Sequence, residues 1–224
     1  MLTKTERQFT ILYFIIVLFE LITGSTETLQ HVHYIAKPAI VISLLFLFVN
    51  TSGALDKYLR LITIIALVFS LLGDILLMFV EQSQHFFAIG LVAFLIAHLM
   101  YILVFLKHRN QKKSALGFLV LLLIYAFGLF YLLKDGLGEM LVPVILYMIV
   151  ILSMATTAFL RKDGVNGLSY NLVFVGAICF MVSDSILALN KFYQPVPFSN
   201  ISIMLTYALA QFLIVLGILK IKTL

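Results

Sequence analysis

Long apolar runs broken by short polar punctuation make up almost the whole chain. Counting about 20 predominantly apolar residues as one membrane-spanning helix, the runs at 8–24, 34–49, 58–80, 85–106, 115–133, 140–160, 170–190 and 200–220 predict eight helices. The connections are too short to hold a soluble domain. The expected architecture is therefore all-α and polytopic, one eight-helix transmembrane domain over residues 1–224. Lys4, Glu6 and Arg7 precede the first run as in a secretory leader. No small-residue cleavage site follows, and Glu20 and Gly24 end the run, so a retained first helix is expected.

Composition agrees: 63% of residues are hydrophobic and 11% charged, against roughly 45–50% and 25% in soluble domains. A soluble enzyme is excluded, and any chemistry must occur within the bilayer. The net charge of +5, from 15 Lys+Arg minus 10 Asp+Glu, is unevenly placed. Lys4, Arg7, Lys57, Arg60, Lys107, Arg109, Lys112, Lys113, Arg161, Lys162, Lys220 and Lys222 fall at one set of alternating helix ends, and only Lys37, Lys134 and Lys191 at the other. Twelve against three is the positive-inside asymmetry, which predicts that both termini face the cytoplasm. The basic run at 107–113 (KHRNQKK) then reads as a topology signal that meets anionic lipid headgroups, not as a nucleic-acid patch. The lone cysteine, Cys179, lies within the seventh run and forms no intrachain disulfide.

Against this background two carboxylates stand out, Asp74 in SLLGDILLMF and Asp184 in GAICFMVSDSILAL. An ionisable group at membrane depth costs several kcal/mol unless it is paired, protonated or turned to a cavity, so such residues are functional candidates by default. A shift of 110 residues superposes the two and lays the third helix on the seventh, as a parallel four-plus-four repeat would. Each lies seven residues before a polar helix end, at Glu81 and Lys191. That places both carboxyls at similar depth in the outer half of the bilayer and predicts one shared site. Small residues beside them, Ser70 and Gly73, then Gly176, Ala177, Ser183, Ser185 and Ala188, permit close helix approach.

Further polar positions group by helical periodicity. Gly90, Phe94, His98 and Tyr101 share one face of the fourth helix, Tyr147 and Met154 one face of the sixth, and Tyr207 and Gln211 one face of the eighth. Lys37, followed by Pro38 at the expected start of the second helix, is one of three outer cations and is a candidate counter-ion or phosphate contact, with Glu20 nearby. His31 and His33 form an HxH pair in the expected first loop. A metal set is poorly supported, because zinc hydrolases converge three or so ligands and only His98 is clearly intramembrane. No GxSxG elbow, phosphate loop or HExxH occurs.

SLLGDILLMF, FFAIGLVAFLIAHLMY, GAICFMVSDSILALNKF and TYALAQFLIV, with the Lys37-Pro38 pair and the segment from Tyr147 to Met154, resemble the YhhN family across nearly the whole chain. That resemblance implies a membrane-embedded hydrolase that cleaves the vinyl-ether bond of a lysoplasmalogen, giving a fatty aldehyde and a glycerophospho-base. It casts Asp74 and Asp184 as catalytic, and the residue reading adds Lys37, His98, Tyr101, Tyr147, Ser183, Tyr207 and Gln211 as supporting or substrate-binding candidates. The implied partners are a lysophospholipid and membrane lipids, in what the short loops suggest is a bacterial plasma membrane.

The chemistry fits the residues. A vinyl ether breaks after protonation of its carbon to an oxocarbenium ion, addition of water and collapse of the hemiacetal. Burial and a neighbouring like charge both make a carboxyl hold its proton, so a close aspartate pair supplies one acid and one base without metal or organic cofactor. The same two carboxylates would also suit a proton- or cation-coupled transporter. An aspartyl intramembrane protease is disfavoured, since its GxGD pattern needs glycine where Leu71 stands.

Overall fold

The computed structural model describes residues 3–221. Lys222, counted above among the inner cations, lies outside the described residues. Eight long helices follow one another: α1 (Lys4–Gly24), α2 (Gln30–Thr51), α3 (Lys57–Leu77), α4 (Gln84–Lys107), α5 (Leu116–Leu133), α6 (Leu141–Leu160), α7 (Gly167–Phe192) and α8 (Ser199–Leu219). Among the described residues these eight are long and apolar enough to cross a membrane.

Two boundaries differ from the expectation. α2 begins at Gln30, so His31 and His33 are helical, and Lys37-Pro38 sits well inside the helix. The polar run QHVH reads as loop by hydropathy alone, but His33 meets Glu20 of α1 at 3.4 Å and so has a partner on the neighbouring helix. Pro38 removes one ladder bond, a loss that enclosing helices make tolerable in a membrane, and it is buried. α3 ends at Leu77, although the apolar run continues. Phe79 turns away to stack on Tyr34 and lean at a tilt against Phe86, with centroids at 5.6 and 5.8 Å. Asp74 is thus three residues from the end of its helix and Asp184 eight from the end of its own. The two aspartates are therefore not equidistant from their helix ends.

The helices close a ring in the order α1, α2, α3, α4, α6, α7, α8 and back to α1, with α2 also reaching α8 across the middle. Its tightest seams are α3 with α4 and α7 with α8, pairs that the offset of 110 residues superposes. Small residues allow the close approach. A Cβ on Gly176 would come within 2.8 Å of Ile214, and one on Gly217 within 2.6 Å of Val173. On the other seam a Cβ on Gly73 would strike the Phe94 ring at 2.6 Å. α5 stands outside the ring, resting on α6 and α7 and scarcely on α4, and is the least buried of the eight; α8 is the most buried.

The two ends of the described chain meet at one end of the bundle. Lys220 Nζ lies 2.6 Å from Glu6 Oε2, and two turns further along α1 Tyr13 donates its hydroxyl to the Ala208 carbonyl at 2.8 Å. The same end carries two further ties. Asp56 caps α3 and accepts from Lys107 at 2.5 Å. Arg161 is fully buried just past α6, with its guanidinium donating to the Ser169 hydroxyl at 2.9 Å, and burial lowers its pKa to about 10.

Candidate functional site

The helix seams build two separate polar centres from the residues singled out by sequence. The first surrounds Asp74, which is buried on the last turn of α3. Tyr207 of α8 donates its hydroxyl to Asp74 Oδ2 at 2.7 Å. Gln211, one turn further along the same face, donates its amide to Tyr207 Oη at 3.3 Å and accepts from Tyr101 Oη at 2.7 Å. Lys37 of α2 and Glu20 of α1 are within electrostatic reach of the carboxylate. Both Glu20 oxygens are buried without a hydrogen-bond partner, and His33 Nδ1 approaches one of them.

The second centre surrounds Asp184 on α7. Tyr147 of α6 donates its hydroxyl to Asp184 Oδ2 at 2.5 Å. Beside this pair lies an apolar pocket, partly open, with room of about 60 Å³ between α4, α5, α6 and α7. Its walls are aliphatic and aromatic, among them Leu77, Leu91, Phe94, Leu129, Val144, Met148 and Leu187. Polar groups reach it only from Asp184, Tyr147, Tyr125 and Ser185.

The two aspartates have different partners. Asp184 lines the cavity and Asp74 does not, and no hydrogen bond joins them among the described residues. What links the two centres is a chain of ring contacts. Tyr207 packs edge-on against Phe94 (5.8 Å) and Phe180 (5.4 Å), Phe180 meets His98 (4.5 Å), and His98 meets Tyr147 (5.3 Å). The one-face stripe on α4 thus points into the bundle as expected, with Phe94 forming cavity wall and Tyr101 serving the Asp74 network. His98 is fully buried and neither ring nitrogen has a protein partner.

Ser183 does not belong to either centre. It is buried at the seam of α7 and α8, where its hydroxyl donates to the Ile203 carbonyl at 2.9 Å. Met154 is fully buried core. Tyr125 and Ser185 were missed as site residues. Ser185 reads as a small packing residue, and Tyr125 lies on the outlying helix, where it is one of two tyrosine hydroxyls, with Tyr131, in an otherwise apolar run. Among the described residues no three His, Cys, Asp or Glu side chains gather closely enough to hold a metal ion.

No solved structure matches the chain. It is similar to human lysoplasmalogenase TMEM86A, with 52% identity over 42 residues, 19% of this chain and 18% of that protein. The similarity thus spans less than a fifth of the curated relative's length. The model of the YhhN family matches residues 32–218, which takes in both aspartates and all or nearly all of every helix except α1. The eight-helix chain, an integral membrane protein, belongs to the YhhN family.

Proposed function

We propose that this protein is a lysoplasmalogenase-type hydrolase that cleaves the vinyl-ether bond of an alkenyl lysophospholipid at Asp184. The observation that carries the reading is a carboxyl bonded to Tyr147 on the wall of an apolar cavity, in a member of this family. An alkenyl chain lies along these apolar walls with its vinyl ether at the pocket, and the acid then stands against its reactive carbons.

In this mechanism Asp184 acts in its protonated form. Its proton passes to the vinyl carbon β to oxygen, the C=C electron pair forms the new C–H bond, and positive charge settles on the oxocarbenium C–O unit. The Asp184 carboxylate, steadied by the Tyr147 hydroxyl, offsets that charge and takes a proton from the water that adds to the cation. The hemiacetal then releases aldehyde as its hydroxyl proton is lost and the departing glyceryl oxygen is protonated. One carboxyl is regenerated in each cycle, acting first as acid and then as base.

Asp74 is a positioning residue in this scheme. Its carboxylate anchors Tyr207, whose ring buttresses Phe94 and Phe180 behind the cavity, while Lys37 supplies the compensating charge. With cytoplasmic termini, as the charge asymmetry implies, both centres would lie toward the outer half of the membrane. The test is to incubate purified protein with a panel of lysophospholipids that includes alkenyl species and to look for fatty aldehyde by mass spectrometry. Aldehyde from alkenyl species alone is expected. Its absence from every lipid, together with a proton- or cation-dependent flux in liposomes, would replace the hydrolase with a transporter.

A further inference from the structure

The cavity holds a second polar pair that the mechanism above does not use. Tyr125 of α5 and Ser185 of α7 are hydrogen-bonded through their hydroxyls on the wall next to Asp184. Counting protons orients the pair. Ser185 has a single hydroxyl proton, and its Oγ lies 2.7 Å from the Met181 carbonyl, an oxygen that only accepts. That proton is committed to Met181, so Tyr125 must donate to Ser185. Tyr125 Oη is left with lone pairs and no proton to offer the cavity. The neighbouring pair has the same polarity, because the Tyr147 proton is committed to Asp184.

We infer that Tyr125, locked as an acceptor by Ser185, reads a free hydroxyl on the ligand, and so distinguishes a lysolipid, whose second glycerol carbon carries O–H, from a lipid in which that oxygen is substituted. This rests on the lysolipid reading of the cavity and names the group that sets its specificity. A ligand hydroxyl donates to Tyr125 Oη. An ester or ether oxygen at the same place sets lone pair against lone pair in an apolar cavity, where an unmet polar contact is costly.

The test measures binding, not turnover, so its outcome is independent of which bond the protein cuts. Two non-hydrolysable alkyl-ether glycerophospholipids of equal chain length are compared on purified protein in detergent, one with a free second hydroxyl and one with that hydroxyl O-methylated. Wild type is expected to bind the free-hydroxyl compound about tenfold more tightly, the worth of one net hydrogen bond. Tyr125→Phe should bring the ratio to within about twofold. Ser185→Ala frees the Tyr125 proton to donate, so it should improve binding of the O-methyl compound relative to wild type. Equal binding of both compounds by wild type, or a Tyr125→Phe protein that keeps the full preference, would overturn the assignment. Loss of aldehyde release from every alkenyl lipid would instead fall on the hydrolase reading.

Discussion

Asp74 and Asp184 occupy matching places on helices related by an offset of 110 residues, yet one is walled in and the other faces a cavity. The same offset carries Lys37 onto Tyr147 and Tyr101 onto Gln211, so each aspartate's neighbour on the preceding helix stands at an equivalent position. On the Asp74 side that neighbour is a cation; on the Asp184 side it is a neutral hydroxyl donor. Tyr101 and Gln211 meet each other, as equivalent residues do on an axis between two halves. The halves part company at α1 and α5. α1 packs on both α2 and α8 and brings Glu20 toward Asp74, whereas α5 rests on α6 and α7 and leaves the space beside α4 open. The cavity is the gap left by α5. Displacing one helix separates a carboxylate with charged neighbours from one that borders an apolar pocket.

The comparison is broken most directly by making the same change at both carboxyls. Asp184→Asn removes an acid-base group and should lower turnover by about 10²–10⁴-fold with lipid binding intact. Asp74→Asn still offers Tyr207 an acceptor, and the fall should be smaller, up to about 10²-fold, through misplacement of the cavity wall. Aldehyde release by the two purified variants decides it, and equal losses would return both carboxylates to direct chemistry.

A change on the Asp74 helix can also be aimed at the Asp184 cavity. Gly73→Ala forces the Phe94 ring to move, so it should cost about 1–3 kcal/mol of stability and weaken lipid binding. Thermal unfolding and lysolipid titration would show this, and an unaffected cavity would mean the two centres are uncoupled. Lys37→Met leaves Asp74 and Glu20 without their cation and should impair turnover in a folded protein. Adding Asp74→Asn should recover part of the lost stability, since the two effects are not independent. Strict additivity in thermal unfolding would show that Lys37 merely reaches for the membrane surface.

The smallest effect is expected at a carboxylate outside the membrane. The Lys107 ammonium bonded to Asp56, helped by the Leu59 N–H, holds its pKa below the ordinary 3.8. A folded pKa below the unfolded one stabilises above the unfolded value and is lost as pH falls through the folded value. Asp56→Asn should therefore flatten the stability profile only below about pH 4, and change aldehyde release at neutral pH little. A large activity loss there would tie the inner end to the site.

The eight helices were legible because each apolar run is long enough to span, and hydropathy reports length well. Helix ends were less so: Phe79 is apolar but turns to stack on Tyr34, and His33 is polar but finds Glu20. The two aspartates were legible for their cost in the membrane, and periodicity grouped Tyr207 with Gln211. Which carboxyl meets a cavity was not, because that depends on how far α5 stands from α4, and no run of residues encodes a gap. The Tyr125 and Ser185 pair was hidden for the same reason, its members sixty positions apart on helices that touch lightly.

The contact of Glu6 with Lys220, and of Tyr13 with Ala208, also sets the order of assembly. Helices enter the bilayer from the first to the last, yet α1 finds half its neighbours only when α8 arrives. Until then the Asp74 carboxylate lacks Tyr207, and α7 lacks the helix that fills its closest seam. Ribosome-bound chains that stop before α8 should consequently expose an unpaired carboxylate and an open flank to lipid, and be the species that quality-control proteases remove.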